Sequence, residues 1–169
     1  KEAADHLQRA MRYCEWASNE VAAAIYEDWA YEAGLALSIN DTVIAARHRA
    51  ISLWQCVGNM EKVGENLSCL SRLHWYRGEA DLAQKYVLDA MTTLEDSASK
   101  ASPARARALA LRAQYEMLKD NMEAAEYWGR QALDQAVLTL ELEMQAHALN
   151  TLGSSLLFRG IPEGEAYLR

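Results

Sequence analysis

Leu67-Ser68-Cys69-Leu70-Ser71-Arg72-Leu73-His74-Trp75-Tyr76-Arg77-Gly78-Glu79-Ala80-Asp81-Leu82-Ala83 carries the pattern that decides the fold. Leu67, Leu70 and Leu73 recur at helical spacing, Gly78-Glu79 stops the run, and a second helical run opens towards Ala83. The pattern returns along the chain. Placing Gly78 over Asp120 and over Gly160, offsets of 42 and 82, and Asn40 over Gly78, an offset of 38, aligns four columns. Upstream stands a large apolar residue (Trp29, Leu67, Leu109, Leu149), and four positions later a small one (Ala33, Ser71, Ala113, Gly153). Downstream, Ala45, Ala83 and Ala125 align, followed seven later by Ser52, Ala90 and Ala132. Small residues at fixed places on both helices of a hairpin let the backbones approach closely, and the large residue fills the space beside them.

Around this repeat the composition favours helix everywhere. The 169 residues hold two prolines and eight scattered glycines, with Ala, Leu, Glu, Gln, Met and Arg between them, and no alternating β-branched run competes. The pattern predicts an all-α chain with helices over 2–17, 20–38, 42–57, 60–77, 80–95, 103–118, 121–137 and 140–159, then the start of another. Short turns make consecutive helices antiparallel hairpins, and the extra length of a repeat of about 40 residues falls in loops such as Glu95 to Ala101. Trp29 and Trp75 are expected in the core, Trp75 in step with Leu37, Met117 and Leu157, whereas Trp16, Trp54 and Trp128 are less constrained and are candidates to pack between repeats.

Seventeen Lys and Arg against 24 Asp and Glu give a formal charge of −7, which removes the positive field needed to condense onto nucleic acid or an anionic membrane. Charged residues interrupt every apolar stretch well before membrane-spanning length, and the start of the chain lacks a signal-peptide layout. Three cysteines, Cys14, Cys56 and Cys69, without a CxxC pair argue against a disulfide framework and for a reducing, cytoplasmic location, with Cys56 and Cys69 expected as free buried thiols near each other across the Gly58 turn. His6, His48, His74 and His147 fall on different predicted helices without HxxxH or HExxH spacing, so no metal site is predicted. Cys69 and His74, five apart on one helix, sit about 140° around its axis and do not share a face. The acid pairs Glu15/Glu20 and Glu123/Glu126 read as solvated faces, and Gly153-Ser154-Ser155 lies mid-helix rather than at a nucleophile elbow. No catalytic residue and no cofactor is predicted.

The four columns resemble the tetratricopeptide repeat, most closely in Leu149-Asn150-Thr151-Leu152-Gly153-Ser154 and Gly78-Glu79-Ala80-Asp81-Leu82-Ala83. That resemblance implies a right-handed α-solenoid of about four helical hairpins, a single repeat domain over 1–169. A narrower likeness joins Ala50 to Gly58, Leu70 to Gly78, His147 to Gly153 and Gly160 to Gly164, which look like the helical-repeat arm of large LuxR-type bacterial transcriptional regulators. Membership there implies an ATPase head before the arm and a helix-turn-helix after it. Neither a GxxxxGK[ST] loop nor a basic recognition helix occurs in this sequence, so neither activity maps onto its residues. The chain then reads as a fragment, since Lys1 opens inside helical periodicity and Glu165 to Arg169 starts a further helix. The alternative is a free-standing adaptor that docks a peptide or partner protein.

In a stack of such hairpins the first helix of each repeat lines the concave surface, at positions counted from the large-residue column. Those positions are Glu27 and Tyr31, then Glu65, Arg72 and Tyr76, then Arg107 and Gln114, then His147, Asn150 and Ser154. Arginine and amide side chains can hydrogen-bond a peptide backbone or a carboxylate, and tyrosine adds apolar area at low entropic cost. The expected ligand of Tyr31, Arg72, Tyr76, Arg107, Gln114, His147, Asn150 and Ser154 is a peptide, a protein segment or a small effector in this groove. The sequence specifies neither its identity nor the oligomeric state.

Overall fold

The computed structural model describes residues 2–36, 39–95 and 101–169, and the described residues contain helices and turns but no strand. The helices are α1 (Glu2–Met11), α2 (Asn19–Ala36), α3 (Asp41–Val57), α4 (Met60–Tyr76), α5 (Ala80–Glu95), α6 (Pro103–Leu118), α7 (Met122–Leu138), α8 (Leu142–Phe158) and a short α9 (Gly164–Tyr167). The chain divides into two compact units, Lys1–Tyr86 and Val87–Arg169, with α5 contributing to both. The starts of α3, α4 and α6 are set by side chains that accept backbone N–H groups. Asn40 Oδ1 accepts from Thr42 and Val43, both at 3.1 Å, and Asn59 Oδ1 from Lys62 at 3.1 Å. Ser102 Oγ accepts from Arg105 at 3.2 Å, with Pro103 in the first helical position, where a missing N–H costs nothing.

Five helix ends close in one way. A residue in the left-handed region, Gly58, Gly78, Asp120, Leu140 or Gly160, lets the next N–H reach back five residues to a carbonyl. The bonds run from Asn59 to Trp54, Glu79 to His74, Asn121 to Glu116, Glu141 to Ala136 and Ile161 to Leu156, at 2.9 to 3.0 Å. Gly78, Asp120 and Gly160 occupy the aligned turn position with φ of 77°, 64° and 72°. Asn40 does not belong to that column. Its φ of −122° is extended because it caps α3, and the register after it slips by one, so that Ala46 and Leu53 are buried while Ala45 and Ser52, the aligned residues, are exposed.

The small-residue column lies at the helix contacts. Ala33, Ser71 and Ala113 are fully buried and Gly153 is buried, beside Trp29, Leu67 and Leu109, while Leu149 is half-buried. In the first unit Ala4, Trp29, Ala30, Ala33, Val43 and Ala46 form the core, with Leu7, Met11, Tyr26 and Leu73 against it. Ser71 Oγ donates to the Ala83 carbonyl at 2.6 Å, which ties α4 to the first turn of α5. The second unit packs Ala106, Leu109, Ala110, Ala132, Ala136, Met144 and Ala148 together. A Cβ on Gly129 would stand 3.0 Å from the Leu152 side chain, and one on Gly164 would stand 2.6 Å from the Gly153 carbonyl oxygen, so α8 and α9 touch through backbone.

Other expectations are corrected. The first helix ends at Met11 rather than 17, and a 3-10 turn at Cys14–Trp16 follows. Trp75 and Leu157 are 37% and 38% exposed, because the buried position lies seven residues after the large one, where His74, Glu116 and Leu156 sit. Seven residues bring a helix back to nearly the same face, whereas eight turn it away by about 80°. Leu37 lies outside the described residues, as do residues 38 and 96–100 of the predicted helix end and loop. Cys56 is an exposed thiol, not a buried one. Among the less constrained tryptophans, Trp54 is buried, Trp128 packs against the second core, and Trp16 is exposed.

Two substitutions test these contacts. Ala113→Leu overpacks the α6–α7 contact and is expected to lower unfolding free energy by about 1–3 kcal/mol in urea denaturation, whereas an unchanged midpoint would show that the column is accidental. Leu140, with φ 58° and 81% exposure, holds a branched side chain in a region that disfavours it. Leu140→Gly is therefore expected to raise stability by about 1 kcal/mol, against the usual loss on introducing glycine.

Candidate partner-binding surface

In the first unit the groove positions of α2 and α4 meet at a lysine. Lys62 Nζ lies 3.0 Å from Glu27 Oε1 and 2.9 Å from Glu65 Oε2, and Trp54 Nε1 donates to Glu27 Oε2 at 3.0 Å. Both oxygens of Glu27 are thus engaged, and its side chain is 14% exposed. Burial pulls the Lys62 ammonium down, but hydrogen bonds to Glu65 and Glu27 outweigh it and hold the pKa above its ordinary value. Equivalent acids of successive hairpins are therefore neutralised in part by one cation; the Glu65 pair follows i,i+3 spacing on α4, whereas the Glu27 partner lies 35 residues away and no spacing along one helix signals it.

Beyond this triad, Tyr31 follows Glu27 by one turn of α2 and is 59% exposed. On α4, Arg72 is half-buried with Nη2 3.5 Å from Tyr76 Oη, and Tyr76 is 65% exposed. Arg72 and Tyr76 are thus brought together, and both stay within reach of solvent. Glu27, Tyr31, Lys62, Glu65, Arg72 and Tyr76 supply aromatic area, hydrogen-bond donors and acceptors.

In the second unit Arg107 and Gln114 stand two turns apart on α6, and His147, Asn150 and Ser154 follow a stripe of α8, which packs directly on α6. Asn150 is exposed and the other four are half-buried. A nearby cleft lined by Met91, Glu95, Arg105, Ala108, Leu109, Trp128 and Gln131 has a volume of about 40 Å³, room for a few water molecules but not for an organic ligand. Glu123 and Glu126 are not the plain solvated pair expected. Glu126 is half-buried and pairs with Arg130 and Arg159, while Glu123 lies 3.3 Å from Arg159. Among the described residues no group of three or more His, Cys, Asp or Glu side chains could hold a metal ion, and no helix is long and apolar enough to cross a membrane.

The sequence matches no protein-family model and no curated protein. Solved structures do match. BtubC (BKLC) from P. vanneervenii superposes with a TM-score of 0.80 at 16% identity, over 98% of this chain and 69% of that one. A putative kinesin light chain of Podosopora anserina, built of nearly identical TPR-like repeats, gives 0.50 at 15% identity over 97% and 90% of the two chains. A single-substitution variant of that protein gives 0.51 at 15% identity, again over 97% and 90%. The fold is therefore a TPR-like array of helical hairpins.

The indole hydrogen bond gives a direct test of the triad. Trp54→Phe removes a donor to the partly buried Glu27 carboxylate while keeping an aromatic ring, and about 1.5–3 kcal/mol of stability should be lost by thermal or urea unfolding. Unchanged unfolding would mean that water replaces the indole without cost.

Proposed function

We propose that this chain is a non-catalytic repeat domain that binds a protein or peptide segment through the first helices of its hairpins. The observation that carries the reading is the TPR-like fold matched over 98% of the chain, a fold whose repeated helices present side chains to an extended ligand. In the first unit the contact residues are Tyr31, Arg72 and Tyr76; in the second they are Arg107, Gln114, His147, Asn150 and Ser154. The exposed tyrosines supply contact area, Arg72 and Arg107 supply charged donors, and the amides satisfy a peptide's own N–H and C=O groups. Such a domain works by affinity alone, in the reducing cytoplasm, without a cofactor and without touching nucleic acid.

We further read the domain as the sensor arm of a LuxR-type regulator. The support for that role is the likeness of Ala50 to Gly58, Leu70 to Gly78, His147 to Gly153 and Gly160 to Gly164 to such arms. An arm of this kind acts by binding an effector with different affinity in two arrangements. A P-loop upstream and a helix-turn-helix downstream in the full gene would support this role, and a full gene without them would remove it.

The binding reading is tested with peptides selected on the immobilised chain from a random display library, then synthesised and titrated by calorimetry. Arg72→Ala is expected to weaken the selected peptide by about 1–3 kcal/mol, through loss of a charge-assisted hydrogen bond, with the helical fold retained by circular dichroism. Peptides that bind Arg72→Ala, Tyr76→Ala and Gln114→Ala as tightly as the parent would place the binding surface elsewhere.

A further inference from the structure

Three rings from three helices of the first unit meet near the start of α5. Tyr86 lies almost parallel to His74 of α4, with centroids 5.1 Å apart and planes 18° apart, and its other neighbour is His48 of α3 at 5.8 Å and 58°. The Tyr86 hydroxyl is 3.3 Å from His48 Nε2. His74 is 6% exposed; its Nδ1 meets Glu79 Oε2, and its Nε2 is buried without a hydrogen-bond partner among the described residues. Glu79 in turn lies 3.1 Å from Arg77 Nη2, and Arg77 Nη1 donates to Asp41 Oδ1 at 2.6 Å. Lys85 Nζ stands 4.8 Å from the centre of the Tyr86 ring.

From this arrangement we infer that the His48–Tyr86–His74 cluster is a proton-sensitive clasp, closed while His48 is neutral, that holds the first two turns of α5 against α3 and α4. Neutral His48 can accept the Tyr86 O–H proton at Nε2, which joins α3 to α5 by a directed bond. A proton on Nε2 turns the bond round, so that the imidazolium donates to the Tyr86 oxygen, and it sets a cation against the charge of Lys85, which repels it. The groups facing His48 from the other elements sharpen the effect. His74 of α4 and Lys85 of α5 are the groups whose charge acts on it, and Tyr86 contributes a neutral hydroxyl. Glu79, the acid bonded to His74, is already engaged by His74 and Arg77.

Burial first, then the nearby His74 and Lys85, lower the His48 pKa from 6.5. A histidine whose pKa falls on folding is protonated more readily in the unfolded chain. Its stabilising contribution is complete above pH 6.5, declines as the pH falls through that value, and is gone below the folded pKa.

Hydrogen–deuterium exchange on the whole 169-residue chain reads the clasp, with rates corrected for the intrinsic pH dependence of amide exchange. Protection of amides 80–86 should fall severalfold between pH 7.5 and pH 5, while that of α7 and α8 stays constant. His48→Gln, which cannot be protonated, should make the 80–86 segment insensitive to pH, and Tyr86→Phe should weaken its protection at pH 7.5 and flatten its pH response. Wild-type protection that does not change with pH, or a pH response retained in His48→Gln, overturns the clasp. If His48→Gln does not fold, NMR titration of the parent decides. The His48 imidazole is expected to titrate below pH 6.5 with the Tyr86 ring signals following it, and titration at or above 6.5, or Tyr86 signals that do not move with it, overturns the clasp.

Discussion

Close approach of helix backbones is the constraint from which the rest of the structure follows. Ala33, Ser71, Ala113 and Gly153 are buried where a larger side chain would separate two helices, and the Gly153 carbonyl lies within 2.6 Å of where a Cβ on Gly164 would be. With so little space between axes, hydrophobic burial comes from many alanines rather than from a few large side chains, as the second core shows with five alanines beside Leu109 and Met144. A polar atom at such a contact is best held where a partner lies beside it. Ser71 finds one by donating to the Ala83 carbonyl, so a hydroxyl can stand in a column otherwise held by alanine and glycine.

Much of this was legible in the sequence because helical period and turn chemistry are local. Seven of the eight long helices start and stop within two residues of the predicted limits wherever they are described, and three aligned turn residues share one backbone conformation. The misreadings arose where one residue changed the register. Asn40 looks like a turn residue but caps a helix, which shifted Ala45 and Ser52 out of the core. Trp75 is large and apolar, yet it sits one position past the inward face, and His74 takes the buried place. The break after Met11 has no proline or glycine to announce it.

Partners distant in sequence were illegible for a different reason. Lys62 joins Glu27, and Tyr86 joins His48 and His74, through side-chain directions that depend on how neighbouring helices pack. No spacing rule along one helix encodes them. The groove positions themselves followed from the repeat, whereas the degree to which their charges are already satisfied emerged only in three dimensions. Glu27 illustrates the point: as a sequence position it offers a free carboxylate, and in the fold an indole and an ammonium occupy it.

The recurring closure that sends an N–H back five residues has a kinetic meaning. Each helix end is finished by atoms that are near neighbours along the chain, so the loop entropy for making it is small and no distant segment has to arrive first. At two of these ends the side chains repeat the backbone link, His74 with Glu79 and Glu116 with Asn121, again across five residues. In helical arrays closed by such short-range contacts, a hairpin can nucleate at any of several places and spread to its neighbours. It also follows that duplicating or losing one hairpin leaves every other closure intact, so the length of an array of this kind is free to change while its local architecture stays the same.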